Sequence, residues 1–114
     1  MAPKQQPSGA QRQFGQFAPF LVSMTDDVLF GQVWPRPELA RRDRSLITVA
    51  ALVAGGNTDQ LRFHLRHAIE NGATRTELIE AIIHLAFYVG WPKAMSAMAI
   101  AKEVLGQDEE GAAS

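Results

Sequence analysis

Apolar residues recur at helical spacing along most of the chain, and no stretch shows the strict alternation of a β-strand. The clearest pattern covers residues 57–91, where two amphipathic segments are joined by a short turn at Gly72. The core stripe of the first segment consists of Leu61, Leu65, Ala68 and Ile69. The second segment begins with a capping box formed by Thr74 and Glu77 and ends at Gly90. The pattern predicts two helices joined by a tight turn.

The N-terminal part has weaker signals. Residues 1–13 are rich in Gln, Pro, Ser and Gly and lack apolar periodicity, which predicts a disordered leader. Two short helices are predicted next, with boundaries at Phe14, Pro19, Thr25 or Asp26, and Gly31. A connector with two prolines, residues 33–42, follows them, and Trp34 is its predicted anchor in the core.

A strongly apolar helix is predicted after the connector. It begins near Asp43, a good N-cap residue, and is stopped by the glycine pair Gly55 and Gly56. Its apolar positions cover nearly the whole circumference of the helix, and they are Leu46, Ile47, Val49, Leu52 and Val53. A helix that is apolar all round must be buried on all sides, which a small domain rarely achieves alone. We therefore expect an oligomer.

The last predicted helix begins at Pro92, which suits a first turn, and ends at Gly106. Residues 107–114 form an acidic tail that is predicted to be mobile. The whole pattern predicts one all-α domain over residues 14–106, a compact helical bundle of about five to six helices.

Composition narrows the possible partners and chemistry. The chain has 46% hydrophobic and 20% charged residues and a formal net charge of -1, so nucleic acid is not an expected partner. No apolar run approaches the ~18 residues of a membrane span, and the N-terminus lacks the apolar core of a secretory signal. We expect a cytoplasmic protein with no membrane partner. Because the chain has no cysteine, disulfides, thiolate nucleophiles and cysteine-ligated metals are excluded.

The candidate chemistry lies on the two helices of residues 57–91. Antiparallel helices joined by a short turn face each other, so His64 on the first is expected to approach Glu80, His84 and Tyr88 on the second. Glu80 and His84 are one helical turn apart, close enough for the carboxylate to orient the imidazole. Two imidazoles, a carboxylate and a phenol are suited to proton transfer.

Less specific interpretations of the same residues remain open. Glu80 and His84 can equally form a solvated pair on a polar face, and His67 is expected on the solvent side. Phe63, among charged residues, fits either a subunit contact or an isolated exposed ring. No HExxH arrangement or tight ligand cluster is present, so no metal site is expected.

Three segments carry a resemblance to a known family. The run HLRHAIENG from His64 to Gly72, the segment TRTELIE from Thr74 to Glu80, and HLAFYVGWPKA from His84 to Ala94 resemble the carboxymuconolactone decarboxylase family, which also includes alkylhydroperoxidase-like proteins. The resemblance covers about residues 29–105. It implies an alkylhydroperoxidase-like fold that assembles as a trimer or hexamer.

The resemblance separates two branches of the family. The redox branch uses a CxxC followed after three residues by a histidine, and the cysteine positions are Asn57 and Gln60 in this chain, with only His64 retained. The glutamate that the redox branch carries ahead of its CxxC is Ser45 here. A CxxC-type peroxidase activity is therefore excluded.

The remaining branch acts on 4-carboxymuconolactone, in the β-ketoadipate route of aromatic catabolism. The resemblance implies a carboxy-lyase without cofactor, in which His64 stabilises an oxyanion or supplies a proton, with His84 and Glu80 as its partners. The implied substrate-binding residues are Tyr88, Arg44, Arg66, Trp91, Asn57 and Gln60. The alternatives are another cofactor-free lyase, isomerase or hydrolase acting on a small carbonyl acid, or a non-catalytic oligomeric binding protein.

Overall fold

A computed structural model describes residues 7–113 of the chain, with side chains described as far as residue 106. These residues form six α-helices and one π-helix and no strand, which confirms the predicted all-α class. The elements are α1 (Gly9–Phe14), α2 (Pro19–Ser23), the π-helix (Met24–Val33), α3 (Arg41–Gly55), α4 (Thr58–Glu70), α5 (Arg75–Val89) and α6 (Trp91–Ala113). Within the described residues, no helix combines the length and hydrophobicity that crossing a bilayer requires.

The chain divides into two compact units, Met1–Glu38 and Leu39–Ser114, where the sequence predicts one domain over residues 14–106. The boundary falls inside the predicted connector with two prolines, residues 33–42. Proline removes a backbone donor and restricts its neighbour, so this segment does not continue either set of helices. Each unit is described by itself.

Part of the segment predicted to be a disordered leader is helical in the first unit. Helix α1 begins after Ser8, whose Oγ accepts a hydrogen bond from the backbone N–H of Gln11 at 2.9 Å. The same hydroxyl donates to Asp26 Oδ2 at 2.8 Å, which ties α1 to the π-helix. The cap and this contact supply the order that the weak apolar pattern did not indicate. Residues 1–6 of the predicted leader lie outside the described residues.

The second short helix of this unit continues past Gly31, where the sequence predicts its end. It is a π-helix that runs to Val33, and the N–H of Trp34 donates to the carbonyl of Leu29, five residues earlier, at 3.0 Å. Gly31 does not adopt positive φ, so it lacks the left-handed conformation that ends a helix. Trp34 is buried as predicted, and its ring stacks on Phe30 with the centroids 5.9 Å apart.

The second unit is a four-helix bundle around one apolar core. Helices α3 and α6 each pack against both α4 and α5, whereas α4 and α5 do not form a packed pair within the described residues. Helices α4 and α5 therefore lie at opposite corners of the bundle, with α3 and α6 between them. The most deeply buried core residues are Val49, Val53, Leu61, Leu65, Ala68, Leu78, Ile82 and Ala97.

Helix α3 differs from its prediction at both its start and its buried surface. It begins at Arg41 with Ala40 as N-cap, so Asp43 lies in the first turn instead of capping it. There the negative charge of Asp43 still interacts favourably with the positive end of the helix dipole. Ile47 points outward and is 59% exposed, so the helix is not buried on all sides in this chain. The predicted stop at the glycine pair is confirmed, because Gly56 has φ 70°.

Helix α6 also differs from the prediction, because it continues through Gly106 to Ala113. A glycine inside a helix costs only about 1 kcal/mol relative to alanine, and Gly106 lacks the positive φ that would end the helix. The backbone of the predicted mobile tail is therefore helical as far as Ala113, while its side chains lie outside the described residues.

The predicted capping box at the start of α5 is confirmed. Thr74 Oγ1 accepts from the backbone N–H of Glu77 at 3.1 Å, and Glu77 Oε1 accepts from the backbone N–H of Thr74 at 2.9 Å. Glu77 also forms an ion pair with Arg42 on α3. The backbone hydrogen bond from Thr74 and then the Arg42 guanidinium lower the pKa of Glu77. The Glu77 side chain thus both caps the start of α5 and links α5 to α3 through the ion pair with Arg42.

We predict that Thr74→Ala lowers the free energy of unfolding by about 1 kcal/mol, because it removes the N-cap acceptor. Urea unfolding followed by circular dichroism measures this. Thr76→Ala is the matched control, since Thr76 is exposed in the same turn and is not part of the capping box. Equal loss in both variants would contradict the role given to the cap.

Candidate active site

His64 lies on α4, beside the core stripe of that helix, and its side chain is about half buried. The ring of Phe63 meets it edge-on, with the two centroids 4.9 Å apart. Burial, and to a smaller degree the nearby His67, lower the pKa of His64 below its ordinary value. The lowered pKa favours the neutral imidazole, which keeps one ring N–H that can donate to a developing negative charge.

His67 is not on the solvent side as predicted. Its side chain is only 20% exposed, and its ring centroid lies 6.0 Å from that of His64. Phe63 stacks on it at 5.3 Å, and its Nδ1 lies 3.6 Å from Glu70 Oε1. The spacing of three residues between the two histidines is the signal that indicates this contact.

One side of α4 therefore carries a cluster of rings and an amide. We call Gln60, Phe63, His64 and His67 the α4 face, since their spacings of three, four and seven residues put them on one side of a helix. Gln60 and Phe63 are exposed, while the two histidines are partly buried. Phe63 is thus neither isolated nor buried, because its ring contacts both imidazoles.

The other predicted site residues lie on the outer side of α5. We call Glu80, His84, Phe87 and Tyr88 the α5 face, and all four side chains are exposed. The rings of His84 and Tyr88 are 4.9 Å apart, and Tyr88 is 76% exposed. Phe87 contacts Trp91 edge-on at 5.4 Å. His84 and Tyr88 are therefore in contact on the surface of the chain, and Glu80 is exposed one helical turn before His84.

The structure does not bring the α4 face and the α5 face together within the chain, contrary to the expectation from the short turn. The turn crosses the bundle instead of joining neighbouring helices. Gly72 has φ 107° and Thr74 is extended at φ -97° and ψ 158°, so the chain passes from one corner to the opposite one. The core stripes of α4 and α5 then bind the same two helices, α3 and α6.

The two candidate arginines have different surroundings. Arg44 is partly buried on α3, and its Nε donates to the backbone carbonyl of Leu39 at 3.1 Å. Arg66 is exposed on α4, where it helps to lower the pKa of Glu103 after the nearer Arg62. Arg62 donates to Glu103 Oε2 at 2.6 Å and links α4 to α6. Arg66 therefore lies towards α6 rather than on the α4 face.

The remaining predicted positions are placed as follows. Asn57 is the exposed N-cap of α4, without a side-chain capping bond, and Trp91 is 56% exposed at the start of α6. Ser45 is fully buried and accepts a hydrogen bond from Asn71 Nδ2 at 3.0 Å. This contact, which the sequence did not indicate, joins the first turns of α3 to the end of α4. Among the side chains of residues 7–106, no group of three or more His, Asp or Glu is arranged to hold a metal ion.

Comparison with known proteins identifies the protein family. The model of the carboxymuconolactone decarboxylase family matches residues 19–103. The chain is 49% identical over 75 residues to the 4-carboxymuconolactone decarboxylase of Acinetobacter baylyi, covering 66% of this chain and 56% of that protein. It is 38% identical over 76 residues to the nitrosuccinic acid decarboxylase of Metarhizium robertsii, covering 67% of this chain and 53% of that protein. The chain thus spans about half the length of these two relatives.

A third relative is a 15.0 kDa uncharacterized protein of Paracoccus denitrificans. It is 29% identical over 101 residues, which cover 87% of this chain and 75% of that protein.

We predict that His67→Gln raises the pKa of His64 without restoring its ordinary value of about 6.5. The substitution removes the smaller of the two causes, the charge of His67, and leaves burial in place. Titration of the histidine ring signals by NMR measures the shift. Lys102→Gln on α6 is the control and should leave the pKa of His64 unchanged. A pKa of His64 that falls or stays constant in His67→Gln would contradict the interaction between the two rings.

Proposed function

The chain belongs to the carboxymuconolactone decarboxylase family, and from this we propose that it is a cofactor-free decarboxylase of a small carboxylated lactone such as 4-carboxymuconolactone. The identity of 49% to a protein named for that activity supports the substrate class. The absence of cysteine from the whole sequence excludes the CxxC peroxidase chemistry of the same family. The observation that carries the proposal is the half-buried His64, for which the lowered pKa favours the neutral form.

The substrate supplies most of the chemistry. When the carbon–carboxylate bond breaks, CO2 leaves and the electron pair moves through the double bond of the lactone onto its carbonyl oxygen. The resulting enolate is then protonated on carbon. Because the lactone accepts the electrons, the protein has to hold a dicarboxylate, stabilise the new oxyanion and deliver one proton.

In our proposal, His64 donates its ring N–H to the developing oxyanion. A neutral imidazole keeps one ring N–H that can donate this hydrogen bond, and partial burial strengthens the interaction because water competes less well. The proton is delivered from the α5 face by His84, and Glu80 lies one helical turn away. Tyr88 and Trp91 then form apolar walls with polar edges around the lactone.

Arg44 is the better of the two candidate carboxylate-binding residues. It lies on α3, the helix that packs against both α4 and α5, whereas Arg66 lies towards Glu103 on the side of α6. A guanidinium can bind a carboxylate through two parallel hydrogen bonds, which fixes the orientation of a planar acid. Asn57 and Gln60 supply neutral polar contacts near the start of α4.

We also propose that the protein acts as a homo-oligomer, a trimer or hexamer. The support is the amount of apolar surface left outside the core of the second unit. Its large exposed apolar side chains include Ile47, Phe63, Ile83, Phe87, Trp91 and Met95. Large apolar side chains exposed in this number on a small domain are typical of a protein that forms interfaces with other subunits.

A second substrate class is favoured by one comparison. The relative from Metarhizium robertsii is named for nitrosuccinic acid, a dicarboxylate whose nitro group can accept the electron pair that a leaving CO2 releases. A nitro acid and an unsaturated lactone thus share two carboxylates and an internal electron acceptor. The same His64 N–H would stabilise a nitronate oxygen as it would an enolate oxygen.

A direct assay separates these possibilities. Loss of 4-carboxymuconolactone is followed by ultraviolet absorbance, and CO2 release from nitrosuccinate is followed in a coupled assay. Turnover of the lactone supports the first proposal, and turnover of nitrosuccinate alone supports the second. Binding of both acids without turnover would instead identify the protein as a non-catalytic binding protein.

We predict that His64→Ala reduces kcat for the preferred acid by about a hundredfold or more, because it removes the group that stabilises the oxyanion. The free energy of unfolding should change much less, because the ring is only half buried. Asp59→Asn is the matched control on α4, since Asp59 is 89% exposed and contacts Arg62. Unchanged kcat in His64→Ala would remove this residue from the mechanism.

A further inference from the structure

The two halves of the proposed site lie on opposite corners of one bundle. The α4 face holds the half-buried His64, and the α5 face holds Glu80, His84 and Tyr88. Helices α3 and α6 fill the space between them with the apolar core. One chain therefore cannot bring His64 of α4 and the proton donor of α5 to the same small substrate unless its apolar core unfolds.

In a single chain, the α5 face is also too exposed to solvent for the proposed reaction. Tyr88 is 76% exposed and His84 and Glu80 are exposed beside it. An active site strengthens its electrostatic interactions by excluding water, and no side chain of residues 39–106 covers these three. A second molecule can supply the missing wall of the site.

The apolar surface that includes Phe87 and Tyr88 of the α5 face is large enough to form the centre of an interface. Phe87, Tyr88 and Trp91 are 74%, 76% and 56% exposed. Since an aromatic side chain carries about 150–250 Å² of surface, the three rings expose roughly 400 Å² together. Met95 at 63% and Ile83 at 42% exposure extend the patch. A standard interface takes about 800 Å² from each partner, so this patch supplies the apolar centre of one.

We infer that the active site is assembled between two copies of this chain, with the α4 face of one copy against the α5 face of its partner. This inference rests on the proposed function for the choice of reacting residues. The occupant is a second copy because the α4 face supplies what the α5 face lacks. It offers an exposed ring, Phe63, for the apolar contact and a half-buried imidazole, His64, for the oxyanion.

Subunit mixing tests the inference. His64→Ala and His84→Ala chains, carrying different tags, are unfolded together and refolded, and the mixed oligomers are purified through both tags. Each variant alone should show kcat reduced by about a hundredfold. After purification through both tags, about a third of the α4–α5 contacts in a trimer ring, and about a quarter in a hexamer ring, pair an intact α4 face with an intact α5 face. We therefore expect turnover to return to about a quarter to a third of the wild-type value.

The results that overturn the inference are distinct from those that overturn the proposed function. If mixed oligomers form and stay as inactive as the two variants, each site lies within one chain and the inference is wrong. Full activity of His84→Ala would also remove the α5 face from the site. If the wild-type protein turns over neither acid, the proposed function fails, and crosslinking still tests the arrangement of copies.

Crosslinking uses the fact that the chain has no cysteine of its own. Gln60→Cys on the α4 face and Glu80→Cys on the α5 face are made in separate chains with different tags, and a short bismaleimide joins thiols that lie close together. We expect a crosslinked product that carries both tags. Lys102→Cys on α6 replaces Gln60→Cys in the control and should give little of it. Products that join only identical variants, or none at all, would contradict an α4–α5 contact between copies.

Discussion

One shared apolar core determines where every polar group of the second unit lies. Its deepest residues come from all four helices and include Val49, Leu65, Ile82 and Ala97. Burial of this surface is the dominant favourable contribution to folding, and it is satisfied when α3 and α6 lie between α4 and α5. The polar sides of α4 and α5 are then directed away from each other. The separation of the two groups of site residues is thus a direct result of core packing.

The features that were predictable from sequence depend on a few neighbouring residues. The capping box of Thr74 and Glu77, the stop at Gly56 and the end of α5 at Gly90 are each specified within one turn of helix. The all-α class follows from the same local periodicity. The choice of helix partners is different, because a core stripe shows which side of a helix is buried but not which helix covers it. The short turn at Gly72 favoured the wrong pair for this reason.

The candidate site shows the same division between local and non-local information. Sequence indicated His64, Glu80, His84 and Tyr88 as candidates and excluded cysteine chemistry, because both depend on residue type. It misplaced His67, which lies against His64 because the spacing of three residues and the position of Phe63 bring the rings together. The two candidate histidines also differ in environment. His64 is half buried with a lowered pKa, while His84 is exposed beside Tyr88.

The exposed α5 face contributes no side chain to the apolar core, and this has an evolutionary consequence. Substitutions at solvent-exposed positions usually change stability by less than about 0.5 kcal/mol, so these residues can vary while the bundle stays folded. Residues that determine folding and residues proposed to contact a substrate are therefore separate sets along α5. Substrate specificity can therefore evolve through substitutions on the outer side of one helix. This fits a family whose relatives carry the names of two chemically different decarboxylases.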